Sequence, residues 1–229
     1  MKWSIEDFVY GATDGAVTTF AIVTGAFGAS LPISVILILG FANLFADGFS
    51  MSVGSFLAKK TRKEYIEKER KREEWEIDNL SSQEKNEIRE IYEKKGFKDE
   101  LLDDIVRIIT SRRKIWVDTM MKEELGLNDE ETKPLDSALT TFTGFNVVGL
   151  IPLIPFIAVY MSGLSYISDY DIFITSLSFT AISFFLIGMI KGKIVKKPIF
   201  LSGLFTLSIG GLAALVAYCV GYILGIYIR

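Results

Sequence analysis

Apolar residues fill five long blocks of this chain, and the run is interrupted once by a stretch dominated by charge. The blocks cover about 8–30, 33–58, 135–161, 171–191 and 198–228. Each is long enough for a helix of roughly 20 apolar residues to cross a hydrocarbon core. Ser30-Leu31-Pro32 between the first two predicts a tight turn. The third is expected to start just after Pro134, with Asp136 and Ser137 as cap types, and the fifth at Pro198. Residues 59–79 continue the second block with no breaker, which predicts one long helix. Ser81 followed by Glu84 has the capping-box spacing, starting a helix that stops at Gly96. Two more helices are predicted over about 98–110 and 111–125, the last ending at Gly126. Leu101, Ile105 and Ile108 are spaced as a buried stripe, as are Ile115, Thr119 and the pair Met120–Met121. No segment alternates as a strand does. The expected fold is therefore all-α: a polytopic membrane protein of five transmembrane helices with a helical domain inserted. The expected division is 1–58 for spans one and two, 59–133 for the helical domain, and 134–229 for spans three to five.

Charge sharpens this picture. Of the 25 Lys and Arg, one precedes residue 59, nineteen lie in 59–133 and five follow; the same segment holds 21 of the 28 acidic residues. A dense but nearly balanced segment reads as amphipathic helices and argues against a nucleic-acid surface. The connection 161–170 has no basic residue, whereas 191–197 (KGKIVKK) has four. The positive-inside rule then puts 191–197, the N-terminus and 59–133 in the cytoplasm, with Arg229 outside. The first apolar run carries Asp14 and no cleavage pattern, so it reads as a span and not as a signal peptide. One cysteine, Cys219, and no histidine exclude a disulfide framework and thiolate or imidazole metal sites within the chain.

Ionisable groups within spans are functional candidates by default, since a carboxylate at membrane depth needs a cavity, a partner or a cation. Asp14 lies in the first span, with Thr18 one turn on. Gly11, Gly15, Ala21, Gly25 and Ala29 line that helix with small residues, which permits close packing within the fold or across a dimer. In the second span Asn43, Asp47 and Met51 recur every fourth residue and share a stripe. An amide oxygen, a carboxylate and a thioether in register suit a divalent ion of intermediate softness such as Fe²⁺. The third span has Thr140, Thr141, Thr143 and Asn146, then Pro152 and Pro155, which free backbone carbonyls or bend the helix. Gly221 and Gly225 in the fifth span fit a packing role.

In the charged segment Glu73 and Glu76 share a helix face, as do Glu84 and Glu87 on the next helix. Brought together, four such carboxylates repel unless a cation compensates them. Met120, Met121 and Glu124 are placed to complete a site of the kind built between packed helices. The plainer reading is an exposed helix with ordinary i,i+4 pairs, since Glu64–Lys68 and Glu67–Lys71 have that spacing.

Four segments carry a family likeness. They are Asp14-Gly15-Ala16-Val17-Thr18-Thr19-Phe20, residues 42–51 (ANLFADGFSM), residues 116–127 (WVDTMMKEELGL) and Pro152-Leu153-Ile154-Pro155. Together they resemble the vacuolar iron transporter family, in order and over essentially the whole chain. The resemblance implies five spans, a homodimer with its ion path at the interface, and a cytoplasmic metal-binding domain between spans two and three. It implies Fe²⁺ export from the cytoplasm against inward protons, with Mn²⁺ as a second substrate. The membrane would be vacuolar in a eukaryote and the cell membrane in a prokaryote. Carried over residue by residue, it places Asp14 and Met51 on the path, and Glu73, Glu76, Glu84, Glu87, Met120, Met121 and Glu124 on the cytoplasmic metal site. One departure stands out: plant-type members have a glutamate where this chain has Asn43 and a small residue where it has Asp47, so the carboxylate sits one turn nearer the cytoplasm.

The expectation is a transporter and not an enzyme. It has no prosthetic group, has Fe²⁺ as substrate and bound ion (with Mn²⁺, Co²⁺ and Zn²⁺ as the other candidate ions), and has the bilayer and a second copy as partners. Two rivals are a membrane-anchored metal sensor or storage module and a di-iron ferroxidase, the latter disfavoured by the lack of histidine.

Overall fold

The computed structural model describes residues 4–128, 133–163 and 167–227. Part of the 161–170 connection and Arg229, both used to orient the chain, lie outside them. Among the described residues nine α-helices follow in order: α1 (Ile5–Gly28), α2 (Ile33–Asn79), α3 (Ser81–Lys94), α4 (Asp99–Thr110), α5 (Arg113–Glu123), α6 (Pro134–Gly149), α7 (Ile154–Ser162), α8 (Asp169–Ile194) and α9 (Ile199–Tyr227). A 3₁₀ turn, Ile151–Leu153, separates α6 from α7, and no strand occurs among the described residues. The chain forms two compact units, one of α1, α2 through Leu57 and α6–α9, the other from Ala58 through α5.

Among the described residues four helical segments have the length and apolarity to cross a membrane: Ile33–Asn79, Pro134–Ser162, Asp169–Ile194 and Ile199–Tyr227. The chain is an integral membrane protein. α1 has the length, at 24 residues, but its Asp14, threonines and glycines dilute its hydropathy. What α1 contributes instead is a small-residue surface. It packs on α6 and α9 and touches α8. A Cβ added to Gly11 or Gly15 would collide with backbone of Thr141 and Phe145 on α6, and one on Gly221 of α9 would fall on the carbonyl of Gly25. Gly225 meets Ala29 in the same way. The stripe of small residues thus serves packing within the fold.

Hydroxyls in these helices are satisfied locally, for example Thr24 Oγ1 donating to the Phe20 carbonyl at 2.9 Å and Thr140 Oγ1 to that of Asp136 at 2.7 Å. The prolines act as breakers. The helix stops at Gly149 and turns through the 3₁₀ segment, and the Pro152 carbonyl accepts from Ser176 Oγ of α8 at 2.6 Å. The core of this unit gathers Phe20, Ile36, Leu44, Phe145, Leu153, Phe156 and Phe184.

Several local expectations shift. α3 starts at Ser81, but its N-cap is Leu80 and no side chain caps it, so Ser81 and Glu84 form no capping box. Glu84 is instead buried, which removes it from the role of reaching back to the cap. α6 starts at Pro134 itself, with Asp136 and Ser137 inside its first turn and no side-chain cap. In α4 the buried residues are Leu102, Val106 and Ile109, while Leu101 and Ile108 are exposed. Both triplets have the same spacing on a helix rich in aliphatics, so periodicity alone could not choose between them. In α5 the buried set is Trp116, Val117, Met120 and Met121, with Ile115 exposed and Thr119 half-buried. Gly96 and Gly126 end their helices with positive φ, +98° and +63°.

The packing at α1 and α9 has a direct test. Gly221→Ala should destabilise by about 1–3 kcal/mol, because the added methyl meets backbone that cannot rotate away. Gly211→Ala, which meets nothing within 4 Å, is the control. Thermal unfolding in detergent with equal midpoints for both variants would refute the contact.

Candidate metal sites

In the helical unit, α3, α4 and α5 bury Ile88, Leu102, Trp116, Val117, Met120 and Met121 against Ile66 and Ile77 of α2. Into this core the same helices carry acids. Glu69, Glu73 and Glu84 are buried, at 4%, 1% and 3% exposure, and Glu76 and Glu87 are half-buried. Carboxylates are almost never this buried unless paired. Glu69 is paired: Arg72 Nη1 lies 2.6 Å from its Oε2. The same guanidinium reaches Glu73 at 3.3 Å and Glu76 at 3.5 Å. Arg72 therefore supplies positive charge to two of the expected ligands at once.

That charge does not satisfy the cluster. Oε2 of Glu73 and Oε2 of Glu84 are buried with no hydrogen-bond partner, as is Nε1 of Trp116. Burial pushes Glu84 up to about 7 from an ordinary 4.5, and the charges of Glu87, Glu73, Glu76 and Glu124 add to the shift. Glu124 also rises to about 7 through burial and the charges of Glu73 and Glu87, partly opposed by Arg72, although much of the residue remains exposed. Glu73 is raised by burial and by Glu76 and Glu87, against its hydrogen bond from Arg72. Five carboxylates from α2, α3 and the end of α5 thus lie within electrostatic range of one another. Met120 and Met121, both buried, precede Glu124 on α5. Among the described residues no three acidic side chains are gathered tightly enough to ligate an ion as they stand. The groups are assembled by the fold but their rotamers are not in a ligating arrangement, and Arg72 lies among them. The i,i+4 pairs of the outer face form in the opposite sense to that expected, Lys60–Glu64 at 3.8 Å and Lys63–Glu67 at 3.7 Å, and leave the cluster untouched.

Sequence reasoning missed Arg72 and Glu69. The signal was present: Glu69, Glu73 and Glu76 flank Arg72 at −3, +1 and +4, within reach on a helix.

In the membrane unit Asp14 is half-buried and Asp47, on α2, lies near enough for their charges to interact. Asn43 is held by α1, its Nδ2 donating to Thr18 Oγ1 at 3.3 Å and to Thr19 Oγ1 at 3.4 Å. Its amide nitrogen is thereby engaged and its oxygen left to face elsewhere. Asp47 is exposed on α2 between the exposed Phe45 and Phe49, and Met51, one turn on, packs partly into the core. Asp14 also lines a cavity of about 590 Å³ bounded by α1, α8 and α9, whose wall includes Glu6, Tyr10, Thr13 and Lys191.

Comparison with known proteins bears on these groups. The sequence model of the VIT family matches residues 5–222. The chain belongs to the VIT family. Among VIT relatives, the chain is 39% identical to a protein named vacuolar iron transporter from Toxoplasma gondii, over 96% of this chain and 74% of that one. It is 34% identical to vacuolar iron transporter 1 of Tulipa gesneriana, over 93% of this chain and 84% of the relative. A vacuolar iron transporter from Plasmodium falciparum is 31% identical over 97% of this chain and 83% of its own length. The VIT match spans both compact units, so neither is an addition peculiar to this chain.

The raised carboxylates make the helical unit of this VIT protein sensitive to pH. Folded Glu84 and Glu124 hold protons to about 7, whereas the unfolded groups release them near 4.5. Their protonated forms are favoured in the fold, so stability should be highest below 4.5 and decline as pH rises through 7. Amide exchange over residues 81–94 and 113–123 of the full chain, corrected for intrinsic rates, should show severalfold less protection at pH 8 than at pH 5.5. Glu84→Gln should flatten the profile, and a flat wild-type profile would contradict the shifts.

Proposed function

We propose that the chain is a homodimeric iron transporter of five-span subunits that moves Fe²⁺ out of the cytoplasm in exchange for protons, with Mn²⁺ as a second substrate. α1 is the fifth span in this reading, its low apolarity reflecting a place inside the bundle and beside the path. The observation that carries the proposal is the convergence of Glu73, Glu76, Glu84, Glu87 and Glu124 with buried Met120 and Met121, in a chain whose relatives are named vacuolar iron transporters. Carboxylate oxygens and thioether sulfurs together favour a divalent ion softer than Mg²⁺ or Ca²⁺. An arriving ion would take over from Arg72 the neutralisation of Glu73 and Glu76 and displace the protons held by Glu84 and Glu124.

Asp47 supports the dimer. A carboxylate on the outer face of a span costs about 2.5–3.5 kcal/mol or more when it faces lipid at mid-helix. A second copy laid over α2 would cover it, and would bring two sets of Asp14, Asp47 and Met51 to one seam. The small-residue stripe of α1 is already used against α6 and α9, and the exposed Asp47 assigns the contact to α2. Protonation and deprotonation of the carboxylates along such a seam would couple release of the metal to inward proton movement.

Metal flux into proteoliposomes, with and without a pH gradient, tests the proposal. Fe²⁺ uptake should rise severalfold with the gradient, and Asp14→Ala or Met51→Ala should reduce it at least tenfold. Flux that ignores the gradient would remove the exchange step, and full activity in both variants would remove the path. Glu73→Gln with Glu76→Gln should weaken Mn²⁺ binding to the detergent-solubilised protein by at least tenfold, read by calorimetry. Unchanged affinity would count against the cytoplasmic site.

A further inference from the structure

Two cavities meet at Lys191, and their chemistry differs. The one bounded by α1, α8 and α9 includes Glu6 and Asp14 in its wall and suits a cation or a proton. The other, of about 650 Å³, is formed by the end of α8, the turn after it and the first turns of α9. Its wall includes Lys191, Lys197, Leu201, Leu204 and Phe205 with two serines, Ser202 and Ser208, and no carboxylate.

The turn brings the two lysines to this groove. The Val195 N–H donates to the Lys191 carbonyl at 3.0 Å and the Lys197 N–H to the Gly192 carbonyl at 2.9 Å, folding the segment back on the last turn of α8. Lys193 and Lys196 belong to the same segment but do not line the groove. All four are exposed, and among the described residues none has a carboxylate within ion-pair distance. Beyond the lysines the groove continues along Leu201, Leu204 and Phe205, which are 61%, 45% and 62% exposed on a helix apolar enough to span a membrane. A paired cationic mouth on an apolar trough matches a molecule with an anionic head and a hydrocarbon tail.

We propose that this groove seats one anionic phospholipid, its phosphate between Lys191 and Lys197 and one acyl chain along Leu201, Leu204 and Phe205. A juxtamembrane lysine attracts anionic lipid, but attraction to a basic loop in general is diffuse. What distinguishes a seated lipid is that two of the four lysines matter and two do not. Lys191 also borders the cavity of Asp14, but neither lysine belongs to the proposed metal ligands, so failure of this site would leave the transport reading standing. The leaflet is that of the lysine-rich turn, which the proposed orientation makes cytoplasmic.

Native mass spectrometry of the full-length protein tests the site, with phosphatidylglycerol, phosphatidylcholine and inorganic phosphate as probes. Phosphatidylglycerol should be retained as one adduct per subunit with at least tenfold preference over phosphatidylcholine, and millimolar phosphate should not displace it. Lys191→Gln with Lys197→Gln should abolish that preference, and Lys193→Gln with Lys196→Gln should leave it within about twofold. Equal loss in both double variants would reduce the effect to diffuse charge and overturn the proposal. So would equal retention of the two lipids, displacement by phosphate, or exclusion of lipid by a second subunit seated on the groove. Unchanged thermal midpoints of the lysine variants without added lipid establish that each is folded.

Discussion

A carboxylate withdrawn from water must share a proton, gain a cation or be returned to solvent, and the chemistry of both compact units turns on that requirement. In the helical unit, Glu69 finds Arg72, while Glu73 and Glu84 each leave one oxygen without a donor. A buried carboxylate oxygen with no hydrogen bond is costly, and here it recurs on two helices that face each other across one core. Purely structural packing would be better served by apolar residues at these positions, since α2 and α3 already contribute Ile66, Ile77 and Ile88 to that core. Packing alone therefore does not account for these acids.

The membrane unit meets the same requirement by different means. Asp14 is partly enclosed by α1, α8 and α9 and borders a cavity that also contains Lys191 and Glu6. Asp47 is exposed on α2. Around them the packing is unusually close, with glycines of α1, α6 and α9 bringing backbone against backbone. Such contacts set the helix spacing through backbone and not through adjustable side chains. Asn43 belongs to this frame, since Thr18 and Thr19 hold its amide nitrogen and so orient whatever its oxygen can offer.

Much of the helical architecture was legible from hydropathy and punctuation. Ser30-Leu31-Pro32 turned the chain where expected, Gly96 and Gly126 stopped helices, and α2, which contains no proline, ran unbroken from Ile33 to Asn79. What failed to show was phase. Leu101, Ile105 and Ile108 differ from Leu102, Val106 and Ile109 by a rotation of one residue, about 100°, and only tertiary packing chooses between them. α1 is the converse case: its burial comes from small residues whose value is proximity, which hydropathy scores poorly. For the candidate metal site, spacing found each acid on its face but could not show that α2, α3 and α5 converge, nor that Arg72 sits among them. That information resides in contacts between helices, which a single sequence does not contain.

Arg72 also shapes how a cation would enter. Guanidinium keeps its proton at any physiological pH, so Arg72 cannot yield its carboxylates by titration. It can yield them only by moving, and at 48% side-chain exposure it has water to move into. Glu69 gives it a reason to remain close, since their 2.6 Å pair uses Nη1, whereas Glu73 and Glu76 are met by Nη2 and Nε. A divalent ion would then replace one positive charge with two at the ligating groups while Arg72 stays paired. Protons on Glu84 and Glu124, titrating near 7, would leave as the ion arrives. Loss of the two protons offsets the charge of the ion, so the net charge of the cluster changes by less than the ion brings. In the proposed transport role this matters, because five uncompensated carboxylates would hold a dication too tightly to pass it on.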